Sequence, residues 1–167
     1  MTEPPAAPAR DYRILTTLAE SQLAIDEVIA VARQRLRLFD LSLEGRGFNA
    51  PARIERLREL LAAGRAHRIE IALHEPEQLE RDAPRLAMLA RQYPGSIELR
   101  RTQGEARKAS DPMVLADAHS AWHRMYHEHP RAIVALHSPA DAVPLGERFD
   151  EIWELSEPWA LGRLLGF

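Results

Sequence analysis

The chain has 167 residues, enough for one domain with a real core, and its 46% hydrophobic and 28% charged residues fit a soluble globular protein rather than a disordered one. A formal charge of -3 gives no general attraction to nucleic acid or to an anionic membrane. The absence of cysteine excludes disulfides, thiolate chemistry, iron–sulfur clusters and cysteine zinc sites, and suits a reducing compartment.

Residues 1–10 are proline-rich and carry no apolar run, so they read as a disordered tail and not as a signal peptide. No stretch approaches the roughly 18 apolar residues that a membrane span needs, and a cytoplasmic protein is expected. Tyr12 to Thr17 is a short strand candidate. Leu23, Ile25, Val28, Ile29, Val31 and Ala32 then recur at helical spacing, with Ser21 as the expected cap. Arg35 to Leu41 is predicted as a strand, and the glycines of Glu44-Gly45-Arg46-Gly47 mark a loop. Asn49 is the expected cap of the next helix. Pro51 sits in its first turn, Ile54, Leu57, Leu60 and Leu61 form its buried stripe, and Gly64 ends it. Arg68 to Leu73 follows as a strand, then a helix from Pro84 to Gln92, then a strand from Ile97 to Arg101. Met113 to Leu115 and Ala121 to Tyr126 read as a hairpin turning near Ala118 to Ser120, and Arg131 to Leu136 as a further strand. Pro144 and Gly146 are expected to precede a final helix with Phe149, Ile152, Trp153 and Ser156 on one face. The order implies an α/β fold, a mixed sheet covered by helices on both faces, in a single domain over residues 11–158.

The segment from Ser110 to Asp117, the hairpin after it and the ending from Phe149 to Pro158 carry a resemblance. Over roughly residues 20 to 157 the chain resembles one half of the phospholipase D superfamily. That superfamily carries a signature of His, any residue, Lys, four residues and Asp. Asp117 matches the aspartate, which sets Ser110 at the histidine position and Pro112 at the lysine position. More closely, the chain resembles an uncharacterised proteobacterial phospholipase D-like domain also found fused behind acetyltransferase domains. In active members an imidazole attacks phosphorus, a second is the general acid, and lysines hold the phosphoryl oxygens. Two halves are needed for one active site. Serine lacks comparable nucleophilicity without a base, and proline brings no charge. The downstream Gly-Ser and Asn of active members have no counterpart in His123-Arg124-Met125-Tyr126. The resemblance therefore implies a phospholipase D-like half without catalytic activity or cofactor. Its expected partner is a second copy of the chain or an acetyltransferase-type protein.

Asp117 reads first as a turn residue whose carboxylate accepts backbone amides, and only second as a ligand-binding group. Arg100, Arg101, Arg107 and Lys108 form the one basic cluster and are candidates for holding a phosphate or another anion, facing Asp40, His74 and Glu75 across a crevice. The crevice is expected between Asp40, His74, Ser110 and Asp117. Four histidines, His119, His123, His127 and His129, share odd parity, which reads as surface histidines around a turn. The alternative is a divalent metal held by His119, His123 and His127, supplying a bound water for hydrolysis. Residues 159–167 form an apolar tail expected to pack on the domain or on a partner.

Overall fold

The computed structural model describes residues 2–126 and 128–162. Among them, eight strands form one mixed sheet: β1 (Asp11–Leu15), β2 (Arg35–Asp40), β3 (Arg68–Leu73), β4 (Ile97–Thr102), β5 (Met113–Ala116), β6 (Ser120–Arg124), β7 (Ala132–Leu136) and β8 (Ser156–Pro158). Their order across the sheet is β1-β7-β6-β5-β2-β3-β4-β8. β2, β3 and β4 run parallel, and every other neighbouring pair is antiparallel. The helices are α1 (Leu18–Val31), α2 (Pro51–Ala62), the single turn α3 (Leu79–Asp82), α4 (Pro84–Gln92) and α5 (Pro139–Glu154).

Strand parity builds two cores, because alternate residues point to opposite faces. On one face Leu36, Leu38, Ile69, Ile71, Val114, Trp122 and Val134 pack against Ile25 and Val28 of α1, Leu57 of α2 and Leu86 of α4. On the other, Phe39, Ala72, Met113, Leu115 and Ala121 pack against Phe149, Ile152 and Trp153 of α5. Helices thus cover both faces, as the apolar patterning predicts.

Several boundaries differ from the sequence reading, each for a local reason. Ser21 lies buried inside α1, and Thr17 is the cap. The Thr17 hydroxyl accepts from the Glu20 amide at 3.1 Å and donates to the Glu20 carboxylate at 2.9 Å, a reciprocal capping box. Asn49 caps nothing on α2, where Ala50 holds the cap position. Its side-chain oxygen instead accepts the Arg85 amide at 3.0 Å and ties the start of α4 to the loop before α2. The last helix begins at Pro139 and runs through Pro144 and Gly146. Pro144 and Ala140 are exposed, so water can serve the carbonyl that a proline leaves without its amide partner. Gly146 is buried because the Arg37 guanidinium lies against it, with 3.0 Å left to any added Cβ. Ser156 is not on that helix: it opens β8, a strand of three residues, too short for periodicity to announce, which pairs with β4 and covers that edge of the sheet.

In the described part of the tail, the Trp159 amide donates to the Leu99 carbonyl at 2.9 Å, and Trp159 and Leu161 pack against the larger core. Residues 163–167 lie outside the described residues.

Candidate functional site

The parallel strands β2, β3 and β4 end on one side of the sheet, at Asp40, Leu73 and Thr102. β5 runs antiparallel to β2 with Met113 opposite Phe39, so the segment entering it, Ser110 to Pro112, lies at that same side. Phe39, Leu41, His74, Arg107, Lys108, Ala109, Ser110 and Pro112 line a cavity of about 170 Å³ there. Ser110, Arg107 and Lys108 are exposed.

His74 is the imidazole of this cavity, and both of its nitrogens are committed. Nε2 is 2.7 Å from the Ala109 carbonyl, which only accepts, so Nε2 carries a proton. Nδ1 is bonded to the Thr102 hydroxyl. In the neutral ring Nδ1 is therefore the acceptor, leaving no lone pair aimed at Ser110. Asp40 is equally occupied. Its carboxylate takes Arg46 Nε at 2.7 Å and the Leu41 amide at 2.7 Å. Burial pushes the Asp40 carboxyl up, against the opposing pull of Arg46, the Leu41 amide and Arg124.

Asp117 is not part of this cavity, and the pocket expected between Asp40, His74, Ser110 and Asp117 does not exist as one space. The register explains why. Ala116 pairs with Leu36, so Asp117 leaves β5 at the opposite end of β2 from Asp40. There its carboxylate accepts three consecutive amides, from Arg33 at 2.7 Å, Gln34 at 3.0 Å and Arg35 at 2.9 Å. Its φ of 50° is left-handed, a conformation that aspartate tolerates better than most side chains. Burial pushes its carboxyl up, but the three amides and His119 outweigh that, leaving it below the usual carboxylate range. The same residue's carbonyl accepts Arg37 Nη2 at 2.9 Å.

The basic cluster also divides. Arg100 and Arg101 are successive residues of β4 and point to opposite faces. Arg100 lies 4.1 Å over the Trp153 ring and is paired with Glu98. Arg101 pairs with Glu77 at 2.8 Å and lies over Trp159. Neither lines the cavity, which keeps Arg107 and Lys108 alone. Lys108 pairs with Glu105 at 3.1 Å, whereas Arg107 has no ion pair among the described residues.

The histidines do not converge either. His119 is bonded to Ser120 at 2.8 Å and lies 3.3 Å from Asp117, at one end of β6. His123, near the other end, donates to Asp111 at 2.9 Å. Four residues of strand separate them by roughly 13 Å, too far to share one ion. Among the described residues no three candidate ligands come together, and His127 lies outside those residues. Burial pushes the Asp111 carboxyl up, but His123 and Arg148, whose Nε is 2.7 Å away, outweigh it and hold it low.

Sequence reasoning missed two groups. One is a buried pair of arginines, Arg46 and Arg124, beside Asp40. The other is a bare patch of sheet around Tyr12 and Ile14.

With this geometry in place, the comparisons assign the fold. A family model described as Domain of unknown function (DUF7931) matches residues 17–165. No curated protein matches the sequence. Among solved structures, Nuc from Salmonella typhimurium, a phospholipase D family member, is similar with a TM-score of 0.61 and 16% identity, over 92% of this chain and 100% of Nuc. NucT from Helicobacter pylori gives 0.54 and 8% identity, over 90% of this chain and 100% of NucT. TrmBL2, an archaeal chromatin protein whose structure shows a novel mode of DNA binding, gives 0.62 and 19% identity, over 89% of this chain. The chain spans about half the length of TrmBL2, 54% of it. The fold is that of the phospholipase D family.

Proposed function

The chain belongs to the family described as Domain of unknown function (DUF7931), and for it we propose a phospholipase D-like domain that performs no chemistry and acts by contact with a second copy of itself. The cavity supports the first half of this reading. Ser110 has no free base beside it, since both nitrogens of His74 are bonded elsewhere. Pro112 offers no cation, and Asp117 staples a turn at the far end of β2.

The observation that carries the second half is the bare sheet at the β1 edge. α5 packs against β4, β5, β6 and β8, towards the far edge of the sheet, and Tyr12, Ile14, Met125 and Tyr126 are 44%, 52%, 55% and 66% exposed around Ile133. These side chains form one apolar surface on an edge strand, which natural sheets normally protect. β1 also matches itself in charge. A two-fold antiparallel pairing centred on Tyr12 sets Asp11 of each copy opposite Arg13 of the other, so the Asp11–Arg13 ion pair within each chain can be exchanged for a pair between chains. Nucleic acid is not the proposed partner. The net charge is -3, and Arg100 and Arg101 are already paired with glutamates.

Sedimentation velocity tests the contact. The protein is expected to run as a dimer at micromolar concentration, and Ile14→Lys, on an exposed position that leaves folding intact, as a monomer. A monomeric wild type, or an Ile14→Lys variant that stays dimeric, overturns the reading.

A further inference from the structure

Arg46 and Arg124 are 8% and 6% exposed, and the carboxylate buried beside them is that of Asp40 alone. Burying charge is costly unless it is paired and hydrogen-bonded, so a surplus cation inside a fold asks for an explanation. The bonding at each guanidinium sharpens the point. Arg46 spends Nε and Nη2 on Asp40, at 2.7 and 3.4 Å, and makes no bond from Nη1 to the described residues. Arg124 spends Nε on the carbonyls of Tyr126 and His129, and neither terminal nitrogen has a partner among the described residues. None of these free nitrogens is sealed off, because all have some solvent contact. Both arginines line a cavity of about 260 Å³, together with Leu18, Asp40, Leu41, Ser42, Glu44 and Gly45.

From this arrangement we propose that the cavity is an oxyanion-binding site, in which Arg46 and Arg124 together grip a phosphate or carboxylate group of a small ligand. The guanidinium fork donates two parallel bonds to such oxygens, and two forks at one point supply several donors. Charge fits as well, since one bound anion balances the surplus of two arginines over one aspartate. Burial lowers the Arg124 pKa, Arg46 lowers it further and Asp40 opposes them, as expected for two cations held together without their full counter-charge. The volume is below the roughly 300–1,000 Å³ of pockets that enclose a whole ligand, so the site holds a charged terminus and leaves the remainder outside. The site is distinct from the Ser110 cavity, with Leu41 forming a wall of both. It uses none of the positions Ser110, Pro112 or Asp117, and it stands whether or not the chain dimerises. Glu44 is the competing group. It is exposed at the rim, and its carboxylate bonds neither arginine.

The test is a titration of the full chain followed by nitrogen-15 resonances of the arginine side chains. Orthophosphate, succinate and chloride are added separately at matched ionic strength. Saturable shifts of Arg46 and Arg124 with orthophosphate are expected, with Arg124→Met weakening binding at least tenfold and Glu44→Gln strengthening it severalfold. Saturation with succinate alone supports the site and assigns it to carboxylates. Small unsaturated shifts common to all three salts, or an Arg124→Met protein that binds like the wild type, overturn the proposal. If Arg124→Met does not fold, the wild-type titration decides by itself.

Discussion

Asp117→Ala is expected to lower the unfolding free energy by about 2–4 kcal/mol, because hydrogen bonds to a charged group contribute about 1.5–3 kcal/mol each and three act through one carboxylate. The expected loss falls below the simple sum of about 4.5–9 kcal/mol, since the Arg33 and Gln34 amides are on the exposed side and water replaces much of what they lose. Asp117→Asn retains an accepting oxygen and tolerance of the left-handed φ, so its loss is smaller. Urea unfolding followed by far-ultraviolet dichroism measures both, and a change below about 0.5 kcal/mol for the alanine variant contradicts the assignment. The pH dependence has a definite sign. The folded pKa of Asp117 lies below that of the unfolded chain, so its stabilisation is full above about pH 4 and is lost as pH falls through the depressed value. Asp111 behaves in the same way.

Asp40→Ala has the larger expected effect, a loss of about 3–5 kcal/mol, because it leaves Arg46 buried without its carboxylate and beside Arg124. Arg46→Met costs less, since burial already favours the neutral Asp40 carboxyl, which can take up a proton when its partner is gone. The double variant is expected to cost less than the sum of the two, the signature of a coupled pair. Additive losses in thermal or urea unfolding contradict the pairing. Here the pH sign reverses. The folded pKa is raised, so the proton-linked part of the Asp40 contribution, separate from its ion pair with Arg46, is full below the unfolded value and declines as pH rises through the folded one. Acid destabilisation of the wild type therefore comes from Asp117 and Asp111 together with Asp141 and Glu20, whose carboxyls are also held low, and Asp117→Asn is expected to lessen it.

The interior of the sheet was legible because its patterning is local. Ile69, Ile71 and Leu73 alternate onto one face, and β3 spans the residues that this alternation marks. Leu86 and Leu89, between Pro84 and the pair Pro94-Gly95, delimit α4 equally well. What failed was governed by tertiary contacts. Asn49 has the chemistry of a cap, but the Arg85 amide reaches it first. Pro144 and Gly146 look like helix breakers, yet one faces water and the other makes room for Arg37, a residue far away in sequence. The capping box at Thr17 and Glu20 was readable and was passed over for Ser21. Counting back from Asp117 set Ser110 and Pro112, whereas the separation of Asp117 from Asp40 follows only from antiparallel β5. Arg46 lay in an apparent loop between two glycines, and Arg124 passed as an ordinary strand residue. The signal available was parity, since Arg124 shares the inward face of β6 with the buried Trp122.

The central claim is that a phospholipase D fold is present without its chemistry. Hydrolysis of bis(p-nitrophenyl) phosphate by the purified full chain tests it most directly, with Ser110→Ala and His74→Gln assayed beside the wild type. All three are expected to match the buffer blank at every pH from 5 to 9. Turnover by the wild type that disappears in Ser110→Ala or His74→Gln contradicts the account and restores a catalytic role to the cavity at the end of β2.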